Sequence, residues 1–114
     1  MSKVIIVEGK TDRERLLQIL DEPVEIVCSY GTLDPDRLEQ WILDYKDDDI
    51  YVLVDADDAG GKLRKQINQE MINIHPLYTR KVYREVATTP IEYLSQVLLK
   101  AHFKVKDTAE LTQV

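Results

Sequence analysis

The sequence predicts an α/β fold: one domain with about four mainly parallel strands flanked by helices. Short apolar segments rich in β-branched residues, such as residues 4–7 and 50–54, alternate along the chain with amphipathic helical segments. The links between these segments are short, and alternation of this kind favours a parallel sheet with helices on both faces. A chain of 114 residues has room for one hydrophobic core, so we expect a single functional site.

Each predicted element has a local reason in the sequence. The strands are runs of β-branched and aromatic residues between turn-forming residues, and we place them at residues 4–7, 24–28, 50–54 and within 77–83. Pro76 determines the fourth placement, because proline cannot donate a hydrogen bond within a central strand. The helices begin at capping boxes, N-caps or N1 prolines, and we place them at about 11–20, 34–46, 62–71 and 89–101.

Composition excludes several classes of protein. Hydrophobic residues make up 44% of the chain and charged residues 32%, as in ordinary globular domains. No apolar run approaches the ~20 residues that cross a bilayer, and the start of the chain is β-like rather than a signal peptide, so we expect a cytoplasmic protein without a membrane partner. The single cysteine, Cys28, cannot form an internal disulfide and is expected to pack in the core. We expect residues 1–103 to form the domain and residues 104–114 a polar tail that frays.

The charges are unevenly distributed along the chain. Residues 1–58 contain 6 Lys and Arg against 16 Asp and Glu, a net charge of −10, whereas residues 59–114 contain 9 against 5, a net charge of +4. Carboxylates bind a cation, and Lys and Arg bind a polyanion, so this asymmetry is compatible with a site for metal and phosphate. Solvated faces of opposite charge would give the same pattern.

Two acidic motifs follow predicted strands. Glu8-Gly9 ends the first strand, and Asp55-x-Asp57-x-x-Gly60 ends the third. Ligands of parallel sheets bind beyond the carboxyl ends of the strands, so these motifs and the loop at Tyr30-Gly31 are expected to be neighbours. Gly9-Lys10-Thr11 is not the end of a P-loop, because that motif requires glycine at the position of Val4.

Together the two motifs resemble the Toprim domain, which is shared by bacterial primases, topoisomerases, recombination mediators, overcoming-lysogenization-defect nucleases and a ribonuclease that matures ribosomal RNA. The resemblance extends from Val4 to about Ile67. It implies a Mg²⁺ (or Mn²⁺) cofactor held by Asp55 and Asp57, and a nucleic-acid partner, RNA or DNA. It also implies that Glu8 is the catalytic residue, acting as general acid or base or as a further metal ligand.

Elementary chemistry gives independent reasons for these residue types. Side chains two positions apart on an extended segment point the same way, so Asp55 and Asp57 can face one cation. Mg²⁺ prefers oxygen ligands and keeps several waters, which leaves positions for a phosphate. Asp58 could join through water or cap the next helix. Further residues are candidates for contacting phosphate: Gly9, Lys10, Gly31, Gly60, Gly61 and Lys62. Other basic side chains could contact a nucleic-acid backbone or be only solvated: Arg64, Lys65, Arg80, Lys81 and Arg84.

Two functions are compatible with these residues. The first is a Mg²⁺-dependent nuclease or phosphotransfer enzyme acting on nucleic-acid phosphodiesters, most similar to the small ribosomal-RNA-maturing type. The second is a non-catalytic metal-binding module that docks a nucleic acid or a partner enzyme, as a monomer or a homodimer. The choice between DNA and RNA, the oligomeric state and the identity of a protein partner stay open at the level of sequence.

Overall fold

The computed structural model describes residues 2–78 and 85–107 and contains the predicted parallel sheet. In chain order the elements are β1 (Lys3–Val7), α1 (Lys10–Ile19), β2 (Glu25–Cys28), α2 (Pro35–Asp44), β3 (Asp49–Leu53), α3 (Asp58–Glu70), β4 (Ile74–Leu77), a 3₁₀ turn (Val86–Thr88) and α4 (Ile91–Lys100). The strand order is β2-β1-β3-β4, and each neighbouring pair is parallel. The predicted fold class is confirmed.

The two faces of the sheet bury alternate residues of the central strands. On one face Ile5, Val7 and Leu53 pack with α1, α4 and Phe103. On the other face Ile6 and Val52 pack with α2 and α3. Strands β1 and β3 are covered on both faces, which explains why they read as continuous apolar runs. Cys28 lies in the first of these clusters, as predicted.

Strand β4 differs from its prediction. It occupies Ile74–Leu77 and contains Pro76, whereas the sequence placed it within residues 77–83. The prediction was wrong because β4 is an edge strand of the described sheet, where a missing N–H costs no ladder hydrogen bond. Residues 79–84, where most of the predicted strand fell, lie outside the described part of the chain.

The helix starts also differ in detail. The N-cap of α1 is Gly9 rather than Thr11, and α3 begins at Asp58, four residues earlier than predicted. Helix α4 begins after Pro90 without a side-chain cap, because the Thr89 hydroxyl donates to the Glu85 carbonyl oxygen at 2.8 Å. The predicted cap of α2 is present: Asp34 accepts from the Arg37 N–H at 2.9 Å, and Pro35 follows as the first helical residue.

The beginning of the C-terminal segment is anchored rather than frayed. Val105 pairs with Leu20 in an antiparallel bridge, and the Lys106 N–H donates to the Ile19 carbonyl oxygen at 2.8 Å. Residues 108–114 lie outside the described part of the chain. Within residues 2–78 and 85–107, none of the helices has the length and apolarity that crossing a membrane requires.

Candidate functional site

The carboxyl ends of β1, β2 and β3 meet at one edge of the sheet. The loop after β2 is tied to the end of β1, since the Tyr30 N–H donates to the Glu8 carbonyl oxygen at 2.7 Å. Tyr30 and Gly31 both adopt positive φ, 54° and 99°, which turns the chain away from the sheet; glycine adopts this conformation without strain. The structure therefore brings together the three segments that the sequence predicted to be neighbours.

Glu8 reaches across this edge to β3. Its Oε1 accepts a hydrogen bond from the Asp55 N–H at 2.7 Å. Burial raises the pKa of the Glu8 carboxyl above its ordinary value; the hydrogen bond from Asp55 opposes this, and the charges of Asp55, Asp57 and Asp12 add to it. A carboxyl with a raised pKa is partly protonated closer to neutral pH, where it can exchange a proton.

Asp55 is oriented by a segment far away in sequence. Its Oδ1 accepts from the Val86 N–H at 2.8 Å. Burial raises the pKa of Asp55; the Val86 hydrogen bond opposes the shift, and the charges of Asp57 and Glu85 reinforce it. The sequence analysis missed this contact because a backbone N–H carries no side-chain signal.

Asp57 has a structural role in addition to its place at the edge. It is the N-cap of α3, and its Oδ1 accepts from the Gly60 N–H at 2.7 Å. Asp58, the other candidate for this cap in the sequence, is the exposed first residue of the helix. Gly60 is required at its position because a Cβ atom there would lie 2.1 Å from the Asp55 carbonyl oxygen.

Asp12 is a further carboxylate of the site that the sequence analysis did not single out. It is 8% exposed, and its Oδ2 accepts from the Gly9 N–H at 3.1 Å. Burial raises the pKa of Asp12, and the nearby charge of Asp55 contributes to the shift. An available signal was its spacing: Asp12 follows Gly9 by three residues, the interval at which a helical carboxylate reaches back to the N-cap.

A cavity of about 140 Å³ adjoins the carboxylates, lined by Val54, Asp55, Ala56, Asp57, Gly61, Arg64 and Tyr78. The Arg64 guanidinium lies 4.3 Å from the centre of the Tyr78 ring, and its Nη2 donates to the Leu77 carbonyl oxygen at 2.9 Å. Its Nη1 is buried without an acceptor among the described residues. The cavity therefore has both signs of charge on its walls.

The remaining predicted phosphate contacts are distributed around this edge. Lys10 is exposed at the first position of α1 and forms a long, exposed ion pair of 4.0 Å with Glu14. Gly61 lines the cavity and has no atom within 4 Å of where a Cβ would lie. Lys62 and Lys65 are exposed on α3. Arg80, Lys81 and Arg84 lie outside the described residues.

The arrangement suits a hard cation held by few protein ligands. Glu8, Asp55 and Asp57 each have one oxygen fixed by a backbone N–H, and no described residue donates a hydrogen bond to their second oxygens. Among the described residues no three His, Cys, Asp or Glu side chains form a group that could hold a metal ion. One or two carboxylates are enough for Mg²⁺, which keeps several waters.

Comparison with known proteins agrees with the fold. The family model of the Toprim domain matches residues 3–88. An uncharacterized protein of Bacillus subtilis, YusF, is 43% identical over 105 residues, which cover 92% of this chain and 72% of that protein. The structure of a small Toprim domain protein from Bacillus stearothermophilus matches with a TM-score of 0.90 and 44% identity, covering 100% of this chain and 96% of the other. The chain belongs to the Toprim domain family.

Proposed function

We propose that this protein is a Mg²⁺-dependent enzyme acting on nucleic-acid phosphodiesters, as a nuclease or a phosphotransfer enzyme. One observation carries the proposal: three carboxylates from two strand ends lie at the same end of the sheet, and each is oriented by a backbone N–H. Burial, together with the charges of neighbouring carboxylates, raises the pKa of two of them, Glu8 and Asp55. Partly buried carboxylates of like charge destabilise the fold, and such groups cluster at functional sites.

The residues divide into two roles. Asp55 and Asp57 would hold the ion, with Mn²⁺ as a substitute for Mg²⁺; when bound, the ion polarises a phosphate and offsets its negative charge. Glu8 would move a proton at Oε2, since Oε1 is engaged by the Asp55 N–H. Its raised pKa favours this role near neutral pH. Membership of the Toprim family supports the nucleic-acid substrate.

A non-catalytic metal-binding module is the alternative. The observation that favours it is the N-cap of α3, because capping gives the Asp57 carboxylate a structural reason to be present. In that case the same edge would bind a nucleic acid or a partner enzyme without cleaving a bond. Metal binding is expected under both functions, so only a test of chemistry separates them.

Glu8→Gln provides this test. Glutamine keeps the size of the side chain and an oxygen that can accept from the Asp55 N–H, but it cannot transfer a proton. With Mg²⁺ or Mn²⁺ we expect the wild type to cleave some RNA or DNA in a panel of structured and single-stranded substrates. The variant should be slower by roughly two to four orders of magnitude, the usual contribution of general acid–base catalysis.

Glu14→Gln is the matched control, because Glu14 is exposed on α1 and, among the described residues, pairs only with Lys10 at the long distance of 4.0 Å. It should cleave at the wild-type rate. If the wild type cleaves nothing in the panel while wild type and Glu8→Gln bind the substrates equally, the protein is the non-catalytic module.

A further inference from the structure

A groove away from the carboxylates lies between the edge strand β4 and helix α4. Its volume is about 570 Å³. Tyr78 borders it at the carboxyl end of β4, and His75 and Ile74 border it toward the amino end. The other described residues along it are Tyr51, Pro76, Leu77, Tyr93, Gln96, Val97, Lys100, Ala101 and His102.

The chemistry of this groove differs from that of the whole chain. The protein has 21 acidic residues against 15 Lys and Arg, yet the described lining contains no Asp or Glu. It contains Lys100, two histidines and three tyrosines. Asp49 touches the groove only indirectly, through a 3.3 Å contact of its Oδ1 with His75 Nε2. A cation beside flat rings is the combination that binds the phosphates and bases of single-stranded nucleic acids.

The groove and the cavity beside the carboxylates share one wall residue, Tyr78. This residue also lines the 140 Å³ cavity that contains Asp55, Asp57 and Arg64. Tyr78 is 62% exposed, which leaves room for a stacking partner on the face of the ring away from Arg64. Arg64 is fixed between the Leu77 carbonyl and this ring, and its buried Nη1 has no acceptor among the described residues. An anion at the junction would provide that acceptor.

An extended protein segment fits the groove less well. The Ile50 N–H donates to the Asn73 carbonyl oxygen, so residues 73, 75 and 77 direct their backbone groups toward β3. Within β4 the backbone groups of residues 74 and 76 therefore point away from β3, and Pro76 has no N–H that could pair with an added strand. Proline at such a position protects an edge from strand pairing.

We propose that a single-stranded stretch of nucleic acid occupies the groove between β4 and α4. Its phosphate at the junction contacts Arg64, a neighbouring base stacks on Tyr78, and Lys100 contacts a phosphate further along. This inference rests on the proposed function, because it supplies the strand that leads to the carboxylates. It places the unpaired nucleotides along β4, the outer strand of the described sheet, whereas the candidate metal ligands follow β3.

The test is fluorescence anisotropy with short fluorescein-labelled oligouridylate and oligothymidylate, in EDTA and at several salt concentrations. Tyr78→Ala should weaken binding by roughly tenfold, as expected for the loss of one base stack, whereas Tyr78→Phe should bind like wild type. Lys100→Glu should weaken binding and lower the slope of log affinity against log salt by about one. Lys46→Glu, an equal charge change outside the groove, should have a smaller effect.

A duplex competitor and sedimentation velocity complete the test. Unchanged binding in both Tyr78→Ala and Lys100→Glu, or equal competition by duplex and single strand, would overturn the groove assignment. Self-association of the wild type that Lys100→Glu abolishes, without oligonucleotide binding, would assign the groove to a second copy instead. Because EDTA removes divalent ions, this assay measures binding apart from chemistry. Binding in EDTA that depends on Tyr78 and Lys100, together with no cleavage of the substrate panel in Mg²⁺ or Mn²⁺, would refute the proposed enzyme and leave the groove assignment standing.

Discussion

The turns after β1 and β3 lie side by side, but they cap their helices differently. After β1 the N-cap is Gly9, and Asp12 from inside α1 accepts its N–H. After β3 the N-cap is Asp57 itself, which accepts from Gly60. The first turn thus leaves its strand-end carboxylate, Glu8, free of its own helix, and that side chain reaches the neighbouring turn instead.

This difference indicates how substitutions at the site should be interpreted. A change at Glu8 removes a group that no helix needs as a cap, so its effect on activity is separable from its effect on folding. A change at Asp57 alters a helix cap and a candidate metal ligand at once. Substitution in the first turn, at Glu8, therefore tests chemistry apart from stability, whereas substitution in the second, at Asp57, changes both.

The largest effect on stability is expected at Gly60. In Gly60→Ala the new methyl group would lie 2.1 Å from the Asp55 carbonyl oxygen, an atom of the backbone that cannot move aside without distorting the turn. We expect unfolding free energy to fall by about 2–4 kcal/mol, measured by urea denaturation with circular dichroism. A loss of this size would show that the turn after β3 requires the close approach of α3 to the end of that strand.

Gly61→Ala is the matched control for this substitution. A Cβ there meets no atom within 4 Å, and alanine favours a helix over glycine by up to about 1 kcal/mol. The control should be as stable as wild type or slightly more so. Equal losses in the two variants would mean that steric contact with Asp55 does not determine the shape of this turn.

Two substitutions of Asp57 should separate its role as the cap of α3 from its proposed role as a metal ligand. Asp57→Ala removes the cap of α3 and should cost about 1 kcal/mol, whereas Asp57→Asn can still accept from Gly60 and should cost less. If Asp57 is a metal ligand, the rise in melting temperature that Mn²⁺ gives the wild type by mass action should be lost in both. A rise that persists in Asp57→Asn would place the ion on other oxygens.

Much of this edge could be predicted from sequence because strand ends in a parallel sheet have a fixed geometry. The runs before Glu8 and Asp55 are apolar enough to be recognised as buried strands, and their order along the chain then brings both carboxylates to one edge. The same reasoning could not assign the cap of α1, since the pairs Gly9–Asp12 and Thr11–Glu14 both have the spacing of an N-cap and its N3 carboxylate, two residues apart. Only packing of α1 decides that Gly9 begins the helix.

Long-range contacts were the other limit of prediction. The hydrogen bond from the Val86 N–H to Asp55 joins residues 31 apart and involves a backbone group that every residue except proline has. Strand β4 was misplaced because one sequence does not show which strand is at the edge, and the tolerance of Pro76 depends on that. The role of Arg64 likewise depends on the position of Tyr78 beside it.

The smallest effect is expected at Asp12, which supports the first turn but carries a buried charge. Its pKa is raised by burial first and then by the charge of Asp55, so the folded protein binds a proton at Asp12 more readily than the unfolded chain does. This contribution to stability is complete below the ordinary value of 3.8 and is lost as pH rises through the raised pKa. Ionised Asp12 therefore destabilises the fold at neutral pH.

Asp12→Asn removes this titration while keeping an oxygen that can accept from the Gly9 N–H. In EDTA, the variant should melt ~2–4 °C above wild type at pH 7, and the difference should shrink toward zero as pH falls below the ordinary carboxyl range. Glu39→Gln, on the exposed side of α2, should match wild type at every pH. A variant less stable than wild type at pH 7 would show that the Gly9 hydrogen bond to a full carboxylate outweighs the buried charge, and that the first turn depends on its acidic residue as the second does.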